Sequence, residues 1–393
     1  MKWSSAISTS KSIETCINET VVSTNEQLDG LESDLTVIFV SPDFHSSYPE
    51  IPGLIRKQIN PGILIGCSGG GIIGAGNEVE GESAFSMTRT NMPGVTIKPF
   101  YSDAMKLPDQ DTGPGVWREW LGVESDPTPH FILLADPFSF RGEEFLQGLD
   151  FAYPHSVKIG GLASGSHSAG GNILYVDQET HSQGAVGVAL SGNIAVDTIV
   201  AQGCRPTGKL HTITKCSNTF LQELNGRPTL EVLEELVENA SNEDRKLIQS
   251  SLFLGIEMNP LGDEPKQGDF LIRNIIGLDK GSGAISIGAL LREGQLVQFH
   301  LRDNITSAED LNMLLLQYTQ KDFSGNASGA LLFSCLGRGK HLYGKVNHDT
   351  DLFGSKLNNI PLGGFFCNGE IGPVGKTTYL HGYTSSFGIF RET

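Results

Sequence analysis

Residues Gly62–Gly74 read GILIGCSGGGIIG, an apolar run that breaks into glycines. Two other stretches share that grammar, Val157–Gly171 (VKIGGLASGSHSAGG) and Pro361–Gly375 (PLGGFFCNGEIGPVG). Each follows an apolar run upstream: Thr36–Ser41 (TVIFVS), Phe131–Asp136 (FILLAD) and Ala330–Cys335 (ALLFSC). The spacing from run to glycine segment is 26 residues from 36 to 62 and from 131 to 157, and 31 from 330 to 361. Short apolar runs bounded by glycine read as buried strands, and the interval leaves room for one helix. Strand-like runs follow at Ala84–Thr88 and Val95–Phe100, at Ile173–Val176 and Ala185–Leu190, and at Thr378–Leu380 and Phe387–Phe390. The unit therefore reads strand, helix, strand, glycine turn and strand pair. The alternative reading is that strands ending in glycine recur by chance in any α/β protein.

The regions around these units follow simpler rules. Ile13, Ile17, Val21 and Leu28 predict a helix in a polar leader. Apolar positions from Leu230 to Phe253 recur at helical spacing, and Ser241-Asn-Glu-Asp244 signals a second helix start. Phe270–Gly277, Ala284–Leu291 and Leu296–Leu301 predict antiparallel strands. Their turns, Asp279-Lys-Gly-Ser282 and Arg292-Glu-Gly-Gln295, carry the glycine that positive φ favours. Thr306-Ser-Ala-Glu309 matches a capping box before Leu311–Tyr318. The expected fold is mixed α/β: two β-rich halves of repeated units with helices packed outside. The expected divisions are a helical leader at 1–34, then domains at 35–217 and 218–393.

Composition narrows the function. The chain has 393 residues, and its 48 glycines show no Gly-X-Y period. A net charge of −17 with no basic run makes nucleic acid and anionic membranes poor partners. Six cysteines without a Cys-x-x-Cys pair suggest reduced thiols and a cytoplasmic protein. No stretch approaches the ~18 apolar residues of a membrane span.

Several motifs can carry chemistry. The glycine turn after Ile65 lacks the lysine of a phosphate-binding loop. Gly66-Cys67-Ser68-Gly69-Gly70 fits the string of a nucleophile elbow centred on Ser68, an alternative that needs a histidine in reach. Cys204-Arg205 and Cys335-Leu-Gly-Arg338 each place a cysteine near an arginine, whose fork suits a carboxylate. Glu78 or Glu80 is the alternative, purely structural partner for Arg205. Glu370 can complement Arg338 or hold a ligand amine. His381, between Tyr379 and Tyr383, reads either as a hydrogen-bonded core histidine or as a haem ligand. The ligand-binding set is thus Cys67, Ser68, Cys204, Arg205, Cys335, Arg338, Glu370, His381 and Tyr383, with no metal site.

The segments IGCSGGGIIGAGNEVEG (65–81), VGVALSG (186–192) and QGCRPTG (202–208) resemble a FIST N-terminal domain. FSCLGRG (333–339), GGFFCNGEIGPVG (363–375) and YLHGYTSSFGIF (379–390) resemble a FIST C-terminal domain. The resemblance implies a sensory domain for small ligands such as amino acids, acting through a protein partner. Some bacterial proteins similar to FIST bind haem and sense nitric oxide. No output module is recognisable here, and the leader is too short for an F-box. The leading expectation is a non-enzymatic ligand-binding protein without a cofactor. The alternatives are an interaction adaptor, a haem-based sensor, and a hydrolase using Ser68 or a cysteine.

Overall fold

The computed structural model describes residues 1–103, 106–258, 265–279 and 281–393. The chain folds as two compact units, one from 1–200 with 312–393, the other from 201–311. Both are rich in strands, and the protein is a mixed α/β fold.

The first unit holds three six-stranded sheets. In the first, strand Leu35–Val40 pairs in parallel with Ile63–Ser68. Phe85–Asn91 lies antiparallel on its other side, and Lys2–Ser8 forms the edge. The second sheet repeats that order with 130–135, 158–162, 185–192 and 95–102, and the third with 329–335, 362–367, 385–391 and 195–201. Every residue of Leu35–Val40 is buried, as in strands covered on both faces. Phe39 stacks on Phe365 at 4.7 Å, and Phe333 meets Phe365 edge-on at 6.0 Å, so strands of the first and third sheets share one core.

Each sheet is completed by a hairpin that follows the parallel pair of another. Hairpin 71–80 joins the third sheet, where Ile72, Ile73 and Gly74 pair with Phe365, Gly364 and Gly363. Hairpin 174–181 joins the first, with Leu174 opposite Cys67. Hairpin 370–381 joins the second, with Ile371 opposite Gly160. The exchange is cyclic. It departs from the sequence reading, in which a strand pair closes each unit. Phe85–Asn91 and Val95–Ser102 lie in different sheets, as do Leu174–Val176 and Ala185–Gly192.

The glycine segments owe their position to close backbone approach. Gly66, Gly160 and Gly364 face Ile38, Leu133 and Leu332 across the three parallel pairs. A Cβ on them would lie 2.2 Å, 1.8 Å and 2.0 Å from those residues' carbonyl oxygens. No side chain fits there.

Helices cover the sheets. Helix Ile13–Gln27 buries Ile13, Cys16, Ile17 and Val21 and is capped by Ser12, which accepts from Thr15 N. Helix Gly142–Ala152 buries Phe145, Leu146 and Leu149. Helix His348–Lys356 buries Phe353, which stacks on Phe387 at 5.1 Å.

The second unit is one seven-stranded sheet. Helices Thr229–Asn239 and Asn242–Ser251 form as expected, with Ser241 accepting from Asp244 N. Strand Leu296–Arg302 pairs with Leu252–Glu257 and Cys204–Ser217 rather than with Ala284–Ile287. Helix Asn304–Thr319 starts before the expected capping box. Asp303 is its cap, accepting from the backbone N–H and hydroxyl of Thr306. The turn at 279–282 includes Lys280, which lies outside the described residues.

Candidate functional site

The C-terminal ends of the parallel pairs carry most of the residues singled out from sequence. Cys67 and Cys367 are fully buried, and burial pushes both thiols well above their ordinary range. They behave as core side chains rather than thiolates. Ser68 donates to Asn172 Oδ1 at 3.4 Å and accepts from Ile173 N at 3.3 Å. The turn after it leads into strand Gly71–Gly74, whereas a nucleophile elbow leads into a helix.

Cys335, Arg338, Glu370 and Tyr383 come together at the end of strand Gly329–Cys335. Arg338 has no exposed surface. Its Nε donates to Asp349 Oδ2 at 2.9 Å and its Nη2 to Asp349 Oδ1 at 3.4 Å. Nη2 also donates to the Tyr343 hydroxyl at 2.6 Å, and Nη1 to the Tyr383 carbonyl at 3.4 Å. Tyr383 is held at φ 68°. Burial alone would raise the Asp349 carboxyl. The Arg338 charge, with hydrogen bonds from His348 and Ser385, outweighs it and holds Asp349 below the usual carboxylate range. The Arg338 fork is thus committed to the protein's own carboxylate.

Glu370 is buried, and its Oε2 accepts from Thr384 N at 3.0 Å. His381 lies opposite Glu370 in its hairpin, and its Nε2 donates to the Gly372 carbonyl at 3.0 Å. Cys204 and Arg205 belong to the second unit. As neighbours on one strand they face opposite sides: Cys204 is buried, and Arg205 is partly exposed. Arg205 pairs with Asp244 and, at 3.5 Å, with Asp303, not with Glu78 or Glu80. Those glutamates serve the Arg338 region instead. Glu80 Oε1 accepts from Lys340 N at 2.8 Å, and Glu78 Oε1 from Thr350 N at 2.9 Å.

The open space lies elsewhere. In the first unit, a cavity of about 590 Å³ is lined by Arg56, Pro99, Phe100, Tyr101, Asp177 and Glu179, among others. Arg56 Nη2 is 3.2 Å from Asp177 Oδ1, which also accepts from Leu64 N at 3.2 Å. Arg56 Nε is enclosed and makes no hydrogen bond. Tyr101 stacks on His181 with ring centroids 3.8 Å apart. A second cavity, of about 640 Å³, is lined by Ser5, Gln27, Thr350, Asp351, Ser355 and Asn359, among others. In the second unit a smaller cavity of about 300 Å³ has Leu236 and Phe299 in its wall and Lys209 and Glu235 beside them. None of the nine residues chosen from sequence lines any of the three.

Arg56, Tyr101, Asp177 and Asp349 did not stand out in the sequence. Arg56 is one arginine closing the short helix Ile51–Arg56, and Asp177 is one turn residue. Their meeting depends on a hairpin from another repeat. Among the described residues, no group of three or more His, Cys, Asp or Glu is placed to hold a metal. No described helix is long and apolar enough to cross a membrane, which says nothing of strands.

Fold and cavities define a strand-rich α/β protein with pockets of small-molecule size. The family models for the FIST N domain and the FIST C domain match residues 34–227 and 229–373, so the chain belongs to the FIST family. FIST domains are generally regarded as small-ligand sensory domains. An uncharacterized protein of Mycobacterium tuberculosis is 33% identical over 394 residues, covering 100% of both chains. One of Mycobacterium bovis is 32% identical over 367 residues, covering 93% of both.

Proposed function

We propose that the protein is a non-enzymatic binder of a small amino-acid-like ligand and passes its occupancy to a protein partner. The observation that carries this reading is the partly exposed guanidinium of Arg56, paired through Nη2 with Asp177, at the wall of the 590 Å³ cavity. A ligand carboxylate pairs with the accessible part of that guanidinium, and Asp177 or Glu179 suits the ligand's ammonium group. The Tyr101 ring offers an apolar wall for its side chain. The family's sensory character supports the same reading.

Calorimetry with a panel of amino acids and short carboxylates tests it. A charge-assisted hydrogen bond contributes ~1.5–3 kcal/mol, so Arg56→Ala should weaken binding by roughly tenfold to a hundredfold. No binding by the wild type, or equal binding by the variant, overturns the proposal and favours an interaction adaptor.

A further inference from the structure

The two cavities of the first unit occupy equivalent places in the cyclic fold. The Arg56 cavity is enclosed by the end of the repeat's helix, Gly62 before the second strand, hairpin tip Val176–Glu179 and edge residues Pro99–Tyr101. The larger cavity is enclosed by helix residues Thr350–Ser355, the approach to strand Leu362–Cys367, hairpin tip Ala75-Gly76 and edge residue Ser5. Each wall therefore comes from the same step of the repeat.

The third equivalent place is tied shut. Lys158, at the start of strand Lys158–Leu162, is buried and pairs with helix residue Asp150 at 2.8 Å. Thr378, from the inserted hairpin, donates to both Asp150 oxygens at 2.7 Å and 2.8 Å. Helix end, strand start and hairpin thus meet directly through one ion pair. The Arg56 place keeps a comparable pair, Arg56 with Asp177, which also accepts from Leu64 N, and it still leaves a cavity, as does the larger place.

The open cavities differ in charge. The Arg56 cavity carries a guanidinium, but no Lys, Arg or His is among the residues lining the larger one, and Asp351 is its one charged residue. Thr350 is 2% exposed, and its hydroxyl makes no hydrogen bond of acceptable geometry. Beside it Glu78 is buried, with Oε2 equally unsatisfied. Gln27 is fixed as a wall, exchanging hydrogen bonds with the Ser5 backbone at 3.0 Å in both directions. Hydroxyls, amides and a carboxylate without a counter-cation accept a group rich in N–H donors.

We infer that the cavity bounded by Ser5, Gln27, Thr350 and Asp351 is a second ligand site, selective for a small primary amine or amino alcohol. The inference does not rest on the Arg56 site, and the two fail separately.

Titrating the full-length protein with ethanolamine and putrescine, and with glycerol and propionate as neutral and anionic controls, tests it. The amines should bind and the controls should not. Asp351→Asn should weaken the amines at least tenfold. Ser355→Trp, which fills the cavity from its exposed rim, should abolish their binding. Arg56→Ala should leave them unchanged while lowering amino-acid affinity. Absence of amine binding, equal binding of glycerol, or unchanged affinity in Asp351→Asn overturns the site. Asp351 is exposed, so its variant tests the proposal even if Ser355→Trp does not fold.

Discussion

Arg338→Ala should cost about 3–5 kcal/mol of stability, read as a fall in the urea midpoint at unchanged slope. The physical reason is Asp349. It is 3% exposed and takes its charge compensation from Nε and Nη2 of Arg338. Removing the guanidinium leaves a buried carboxylate with the hydrogen bonds of Ser385 and His348 alone. It also removes a donor from the Tyr343 hydroxyl and the cation stacked 5.6 Å above that ring. The pH dependence should reverse as well. In the wild type the depressed Asp349 carboxyl gives stability that is present above the usual carboxylate range and lost as pH falls below it. In the variant, burial raises the same carboxyl, so stability should be regained on acidification. Adding Asp349→Asn should restore part of the loss. A cost below ~1 kcal/mol, or additive single and double variants, would show that the pair holds nothing together.

That result bears on how the family's binding surface is read. An arginine at a strand end beside glycines has the sequence look of a ligand fork. Its chemistry is decided by what lies eleven residues later, where Asp349 opens a helix. The pair is a clamp that fixes segment 336–349, with its short helix Gly339–Tyr343, to strand Ser385–Arg391 through Ser385 and to the Tyr383 carbonyl. Arg56 is the opposite case: it has a carboxylate neighbour in Asp177, yet keeps one donor unspent.

The fold was legible where local pattern and packing agree. The glycines of GILIG, VKIG and PLGG mark the same crowded step of three parallel pairs, so the repeated motif could be seen before its reason. The exchanged hairpins could not, because a strand's partner is set by distant backbone: Ile73 pairs with Gly364. Strand Lys2–Ser8 was also hidden. Its Ser4, Ser5 and Ser8 are buried polar residues; Ser4 and Ser5 are acceptable inside because they donate to the carbonyls of Arg89 and Leu362, and Ser5 Oγ also accepts from Ala75 N. The candidate site suffered more. Sequence found the cysteines and arginines at strand ends, but their burial and internal pairing needed the tertiary structure. The cavities are made by helix ends, hairpin tips and edge strands from separate repeats.

Glu78→Gln should stabilise the protein at pH 8 by as much as about 3 kcal/mol and flatten its stability between pH 5 and 7. Burial, reinforced by the nearby charges of Asp349 and Glu80, pushes the Glu78 carboxyl up to about 7 from an ordinary 4.5. The folded state therefore holds a proton that the unfolded chain has released across that window. Wild-type stability should fall as pH rises through it, with the full penalty present above 7, at about 1.4 kcal/mol for each pH unit of separation. Glutamine keeps an acceptor for Thr350 N and carries no charge to desolvate. Melting at pH 5, 6, 7 and 8 decides the matter: a variant no more stable than wild type at pH 8 refutes it. The groups facing Glu78 are Asp349, already neutralised by Arg338, and Glu80, tied to Lys340 N, while His348 lies behind Asp349. Among the described residues, no cation is paired with it. An ammonium ligand beside Thr350 would supply one, so amine affinity should rise from pH 6 to pH 8 in the wild type. Glu78→Gln should lose that slope while keeping Asp351-dependent binding. Stability and ligand affinity would then report the same buried charge from opposite sides.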